Sequence, residues 1–167
     1  YSELLDFLYR AQKFADCEKA CREFLEFQFE GDDDEATTLN RAKATVLRQM
    51  IQCQARQGDG SRALGTIDRL LQQDPSDILN LQLKARILHQ LGKDDESIEL
   101  YEELIPKVSG LDRLRKETRE GFVADLRYAL SGVYIDAKKS EKAIGILKDL
   151  VDKYPENATY NNDLGYI

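Results

Sequence analysis

The feature that most restricts this chain is a repeated alternation. Stretches of about fourteen residues with apolar side chains every third or fourth position are separated by short breaks rich in Gly, Asp or Pro. Leu47, Met50 and Ile51 lead to Gln57-Gly58-Asp59-Gly60, after which Ala63, Ile67, Leu70 and Leu71 run to Asp74-Pro75. That spacing puts the apolar residues on one side of an α-helix, and the break stops one helix and turns the chain into the next. The arrangement returns with Leu81, Ala85 and Leu88, the break Leu91-Gly92-Lys93-Asp94, then Ile98, Tyr101, Leu104 and Ile105. It returns again with Leu130, Ser131 and Tyr134, a break from Ala137 to Ser140, then Ala143, Leu147, Leu150, Val151 and Pro155. One such hairpin has a single apolar side, so neighbours must stack to complete an interior. The expected fold class is therefore all-α, a solenoid of helix hairpins.

Composition agrees and removes some functions. With 33% charged and 8% aromatic residues, no Trp and three Pro, the chain is rich in helix formers and poor in what large sheets use. A net charge of −7 argues against nucleic acid and anionic membranes, which need a basic face. No stretch approaches the roughly 20 apolar residues of a membrane helix, and no basic segment followed by an apolar run opens the chain. The expectation is a soluble segment, placed in the cytoplasm ahead of an exported compartment, with a leader upstream of Tyr1 left open.

The hairpins resemble tetratricopeptide repeats of the bacterial multi-repeat type, units of about 34 residues with the pattern W-x2-L-G-x2-Y, then A-x3-F, then P. With Pro75 at the proline, Ala63 and Ile67 take the A-x3-F places and Gly58 the turn glycine. Pro155 gives the same register, with Leu130, Ser131, Tyr134, Ala143 and Leu147; the middle unit fits with Ala85, Gly92, Ser97 and Tyr101. The first unit matches through Tyr1, Leu4, Phe14, Cys17 and Cys21, and Leu164-Gly165 begins a fifth. The pattern's Trp is never present, Ile51 stands where a small residue would let two helices approach, and Lys138 holds a turn-glycine slot. The resemblance implies a right-handed α-α superhelix of about four hairpins and a partial fifth.

Unit starts near 44, 78, 124 and 158 give intervals of 34, 46 and 34 residues. A single repeat domain over 1–167, a fragment of a longer chain, is expected, with units at 1–31, 44–77, 78–111, 124–157 and 158–167. The extra residues, 32–43 and 112–123, are read as elongations of the first helices of the second and fourth hairpins, each up to about 18 Å. Leu39, Ala42 and Val46 continue one helical face in the first; Leu111, Leu114, Phe122 and Leu126 do so in the second.

In tetratricopeptide proteins the first helices line a concave side that receives an extended peptide or a helix. By position, that side carries Tyr9, Arg48, Gln52, Arg56, Gln82, Arg86, His89, Tyr128, Asn162 and Tyr166, with Asp6, Asp125 and Asp136 toward the ends. Arginines grip carboxylates with paired hydrogen bonds, so the resemblance implies a protein-binding scaffold whose partner is another protein or an acidic peptide or C-terminus. The plain alternative is that these arginines pair with neighbouring carboxylates or are solvated. A self-assembling homo-oligomer is the second functional reading. Co-chaperones of this family clamp a chaperone's terminal carboxylate with Lys and Asn; Ser2 and Asp6 stand at those positions in the first unit.

Other motifs are read as structural. Gly58-Asp59-Gly60-Ser61-Arg62-Ala63 satisfies a dinucleotide pattern, yet a helix rather than a strand precedes it. Asp32-Asp33-Asp34-Glu35 lacks the ligand alternation and glycine of a calcium loop and suits a helix start. Cys17, Cys21 and Cys53 form no C-x-x-C pair and read as small core residues. His89 has no ligand or base at recognisable spacing, and Asn157-Ala158-Thr159 is a sequon by pattern only. No cofactor, metal or catalysis is expected.

Overall fold

The breaks in the sequence become one turn, used four times. The computed structural model describes residues 1–26 and 33–167, with the side chain of Asp33 left aside. Gly31 and Asp32, at the expected start of the first elongation, lie outside the described residues. Among the described residues there are nine helices and no strand. They form two compact units, Tyr1–Pro75 and Ser76–Ile167. The first holds α1 (Ser2–Arg10), α2 (Phe14–Glu26), α3 (Asp33–Arg56) and α4 (Gly60–Gln73). The second holds α5 (Ile78–Gln90), α6 (Asp94–Ser109), α7 (Lys116–Asp136), α8 (Ser140–Lys153) and α9 (Ala158–Tyr166).

Within each hairpin the first helix ends on a left-handed residue: Gln12 (φ 57°), Gly58 (86°), Gly92 (72°) and Lys138 (59°). The next amide then donates to a carbonyl five residues back: Lys13 to Leu8 (2.9 Å), Asp59 to Gln54 (3.0 Å), Lys93 to Leu88 (2.9 Å) and Lys139 to Tyr134 (2.8 Å). This closes the helix end and aims the chain back along it. A Cβ at Gly58 or Gly92 would meet nothing within 4 Å, so glycine there serves the backbone and not space. Gln12 and Lys138 adopt the same φ at the steric cost, roughly 1–2 kcal/mol, that glycine avoids. Asp59 and Asp77 then cap the following helices, accepting from the amides of Arg62 (3.3 Å) and Asn80 (3.0 Å).

The pattern's alanine position faces the interior of each hairpin. Its occupants, Cys17, Ala63, Ser97 and Ala143, are fully buried. Where the side chain is polar it is satisfied by the facing helix: Ser97 Oγ donates to the Ala85 carbonyl (2.8 Å), and Cys17 Sγ to that of Leu5 (3.5 Å). Leu5, Val46 and the three cysteines fill the first core; Ala85, Tyr101, Leu104, Leu126, Leu130 and Tyr134 fill the second. Ile51, expected to obstruct a close approach, is itself fully buried.

Both elongated first helices form, with 24 residues in α3 and 21 in α7 against 13 in α5. The second begins later than expected. Leu111 and Leu114 lie in the connection before α7 and not on its face, because α6 ends at Gly110 and the chain turns there. The Leu114 amide donates to the Leu111 carbonyl (3.1 Å), and Arg119 reaches back to that carbonyl and to Asp112 Oδ1, both at 3.2 Å. Among the described residues no helix is long and apolar enough to cross a membrane.

Candidate partner-binding surfaces

Arg48, Gln52 and Arg56 stand four apart on α3, so they share one helical face in the first unit. Arg56 is exposed; Arg48 and Gln52 are half-buried. In the second unit Gln82, Arg86 and His89 share a face of α5, with Arg86 exposed and the other two half-buried. The positive field of Arg86 reaches inward to Tyr101, whose phenol burial nevertheless pushes up to about 12.

His89 is held by carboxylates at both ring nitrogens. Nδ1 lies 2.8 Å from Asp94 Oδ1, at the start of α6, and Nε2 lies 3.2 Å from Asp136 Oδ2, at the end of α7. The imidazole therefore joins three helices of the second unit. Lys139 adds a second tie between the same two turns, its ammonium 2.6 Å from Asp95, which holds that carboxyl below its usual range.

The aromatic candidates Tyr9 and Tyr128 each pack against a neighbouring ring. Tyr9 sets its ring edge-on against Phe14, centroids 5.4 Å apart, across the turn of the first hairpin. Tyr128 Oη donates to Asp163 Oδ2 (2.6 Å), and its ring lies 5.2 Å from that of Tyr160. That hydrogen bond, with burial, raises the Tyr128 phenol to about 12. Asn162 and Tyr166 are exposed on α9, and Asp6 pairs with Arg10 at 3.0 Å.

Three features of the first unit escape residue-by-residue reading. The thiols of Cys17, Cys21 and Cys53 meet in its core, all fully buried. Burial and the Cys17 sulfur raise Cys21 to about 12, and the same causes raise Cys53. Such thiols stay protonated and unreactive, and among the described residues no group of His, Cys, Asp or Glu is arranged to hold a metal ion.

Second, Glu18 of α2 is buried yet accepts from Gln54 Nε2 of α3 (3.3 Å) and from Gln57 Nε2 in the turn after it (2.9 Å), with Arg22 at 2.7 Å and Arg62 of α4 at 3.1 Å. Burial alone would raise this carboxyl; the hydrogen bonds and the Arg62 charge outweigh it and hold the group below its usual range.

Third, a cavity of about 720 Å³ opens between α1 and α3. Leu5 and Val46 are its buried floor, Phe24 and Ala42 its half-buried sides, and Glu3, Asp6 and Arg10 stand around it. A smaller one of about 400 Å³ continues along α3, bordered by Asp34, Glu35, Thr38, Leu39 and Ala42.

Comparison with known proteins matches residues 125–157 to the tetratricopeptide-repeat family model. Two solved structures share the fold. One is MamA, from residue 41 to its end, of Desulfovibrio magneticus RS-1, at 19% identity and TM-score 0.61, covering 99% of this chain and 80% of that one. The other is the ArsTM double mutant of the RS-1 MamA, at 21% identity and TM-score 0.60, with 99% and 79% covered. No curated protein matches the chain in sequence.

Proposed function

We propose that this chain, of which residues 125–157 match the tetratricopeptide-repeat family model and whose fold is that of the solved MamA structures, acts as a scaffold that binds another protein, not as an enzyme, with the partner seated on the first helices of its hairpins. The observation that carries this reading is the ladder of Arg48, Gln52 and Arg56 on α3, echoed by Gln82 and Arg86 on α5. A guanidinium can hold a carboxylate through two parallel hydrogen bonds, and an amide between arginines offers both a donor and an acceptor to a peptide backbone. An extended acidic segment or chain terminus suits both ladders. In the second unit His89 supports the α5 ladder by tying α5 to α6 and α7, with Tyr128, Asn162 and Tyr166 as further contact residues there; in the first unit Tyr9 has that role beside the α3 ladder.

The test is fluorescence anisotropy with labelled acidic peptides at low and physiological salt. Arg48→Glu with Arg86→Glu is expected to weaken binding at least tenfold, a loss of about 1.4 kcal/mol. Equal binding by the charge-reversed chain would remove the ladders from the reading.

Exposed Leu4 and Phe7, spaced three apart on α1, favour self-association as a second reading. Light scattering that finds a strict monomer at high concentration would remove it. A chaperone-tail clamp is disfavoured, since Ser2 and Asp6 stand where that clamp would want Lys and Asn.

A further inference from the structure

The cavity between α1 and α3 differs chemically from the arginine ladder further along the same helix. Leu5, Val46, Phe24 and Ala42 give it an apolar patch bordered by the polar side chains of Ser2, Thr45 and Gln49, and its volume falls within the about 300–1,000 Å³ typical of ligand pockets. Its charges are of the opposite sign to the ladder. Glu3 and Asp6 stand beside it, and Arg10, the cation among its described lining residues, is drawn onto Asp6 at 3.0 Å, which leaves Glu3 to set the sign of the field. An apolar group entering here is favoured by burial, a cation beside it by the field, and an anion is opposed.

We infer that this cavity anchors a large apolar side chain of a partner peptide whose adjacent residues are lysine or arginine. The inference rests on the scaffold reading and adds a polarity to it. From Ala42 to Arg56 the helix rises roughly 21 Å, the reach of about six residues of extended chain. A peptide lying along α3 would therefore pass from basic and apolar to acidic within about six residues.

Three labelled synthetic peptides titrated against the intact chain test this: one with phenylalanine between lysines, one with glutamates in place of the lysines, and one with serine in place of the phenylalanine. The first is expected to bind at least tenfold more tightly than the others. Ala42→Trp, which fills the cavity, and Glu3→Lys with Asp6→Lys, which reverses its charge on exposed positions, are each expected to weaken it at least tenfold with helicity unchanged by circular dichroism. Equal binding of the three peptides, or undiminished binding to the charge-reversed variant, would overturn the inference. So would a chain that dimerises through this face, with Ala42→Trp restoring the monomer. An acidic peptide that still depends on Arg48 in those cases would leave the scaffold reading standing while the anchor falls.

Discussion

The two long helices α3 and α7 are similar in length and differ in how their elongations are held. The start of α7 is fastened on several sides. Phe122 and Val123 pack into the second core, and Arg119 reaches back to Leu111 and Asp112. Lys153 lies 2.9 Å from Glu120, while Tyr154 Oη donates to the Glu120 carbonyl at 3.5 Å. Among the described side chains in the first ten residues of α3, Leu39 and Ala42 are half-buried and the others exposed, and open cavities lie beside them. The far end of α3 is tied to Glu18 through Gln54, and through Gln57 just beyond it. Similar helix length thus hides two kinds of elongation: that of α7 packs into a core, whereas that of α3 borders open cavities.

Truncation should expose the contrast most strongly. Phe122→Ala is expected to cost about 2–3 kcal/mol in urea denaturation, and Leu39→Ala under about 1 kcal/mol, since only the former empties a packed core. Similar losses would end the distinction between the helices.

Glu18→Gln should destabilise the chain by about 1.5–2 kcal/mol by weakening a buried, charge-assisted network. Because the folded carboxyl is held below its unfolded value, the stability it contributes is complete above the unfolded value. It is lost as pH falls through the folded one. The Gln variant should therefore show a flatter loss of stability on acidification than the parent, and an identical pH profile would contradict the role given to Glu18.

At the turns, Gly58→Ala should cost about 1 kcal/mol and Lys138→Gly should gain about as much, read as opposite shifts in the unfolding midpoint. Smallest of all, Lys153→Ala should speed amide hydrogen exchange in the first turns of α7 and leave α3 unchanged, since it removes one exposed tie from a start that Phe122 still holds.

The helices, their order and the register of the interior positions were legible because each follows from local spacing. Ala63 and Ala143 occupy equivalent buried places as the alignment of Pro75 with Pro155 requires, and Cys17 and Ser97 do so in the first and middle units. The start of α7 was not legible. Leu111 and Leu114 fit a helical period, but periodicity does not register the Gly110 stop or the Arg119 side chain that holds the connection. The charged groups were hidden for another reason. Glu18 meets Gln54 across 36 positions, and Asp136 meets His89 across 47, so their partners are set by packing and not by spacing. Repeat register offers some signal there, because Asp136 and His89 fall near the ends of successive first helices. The cavity was beyond reach, since an apolar hollow is defined by what three helices fail to fill.

All three cysteines of the chain lie in the first unit, and none is accessible while that unit is closed. A maleimide or iodoacetamide added to the native protein can reach sulfur only when the packing of α1, α2 and α3 around the thiols opens, so the rate of alkylation is a clock on that opening. The chain thus carries its own reporter, with no label to engineer: a peptide that seats on α3 and steadies it should slow the clock, and one that binds only the second unit should leave it running at its former pace.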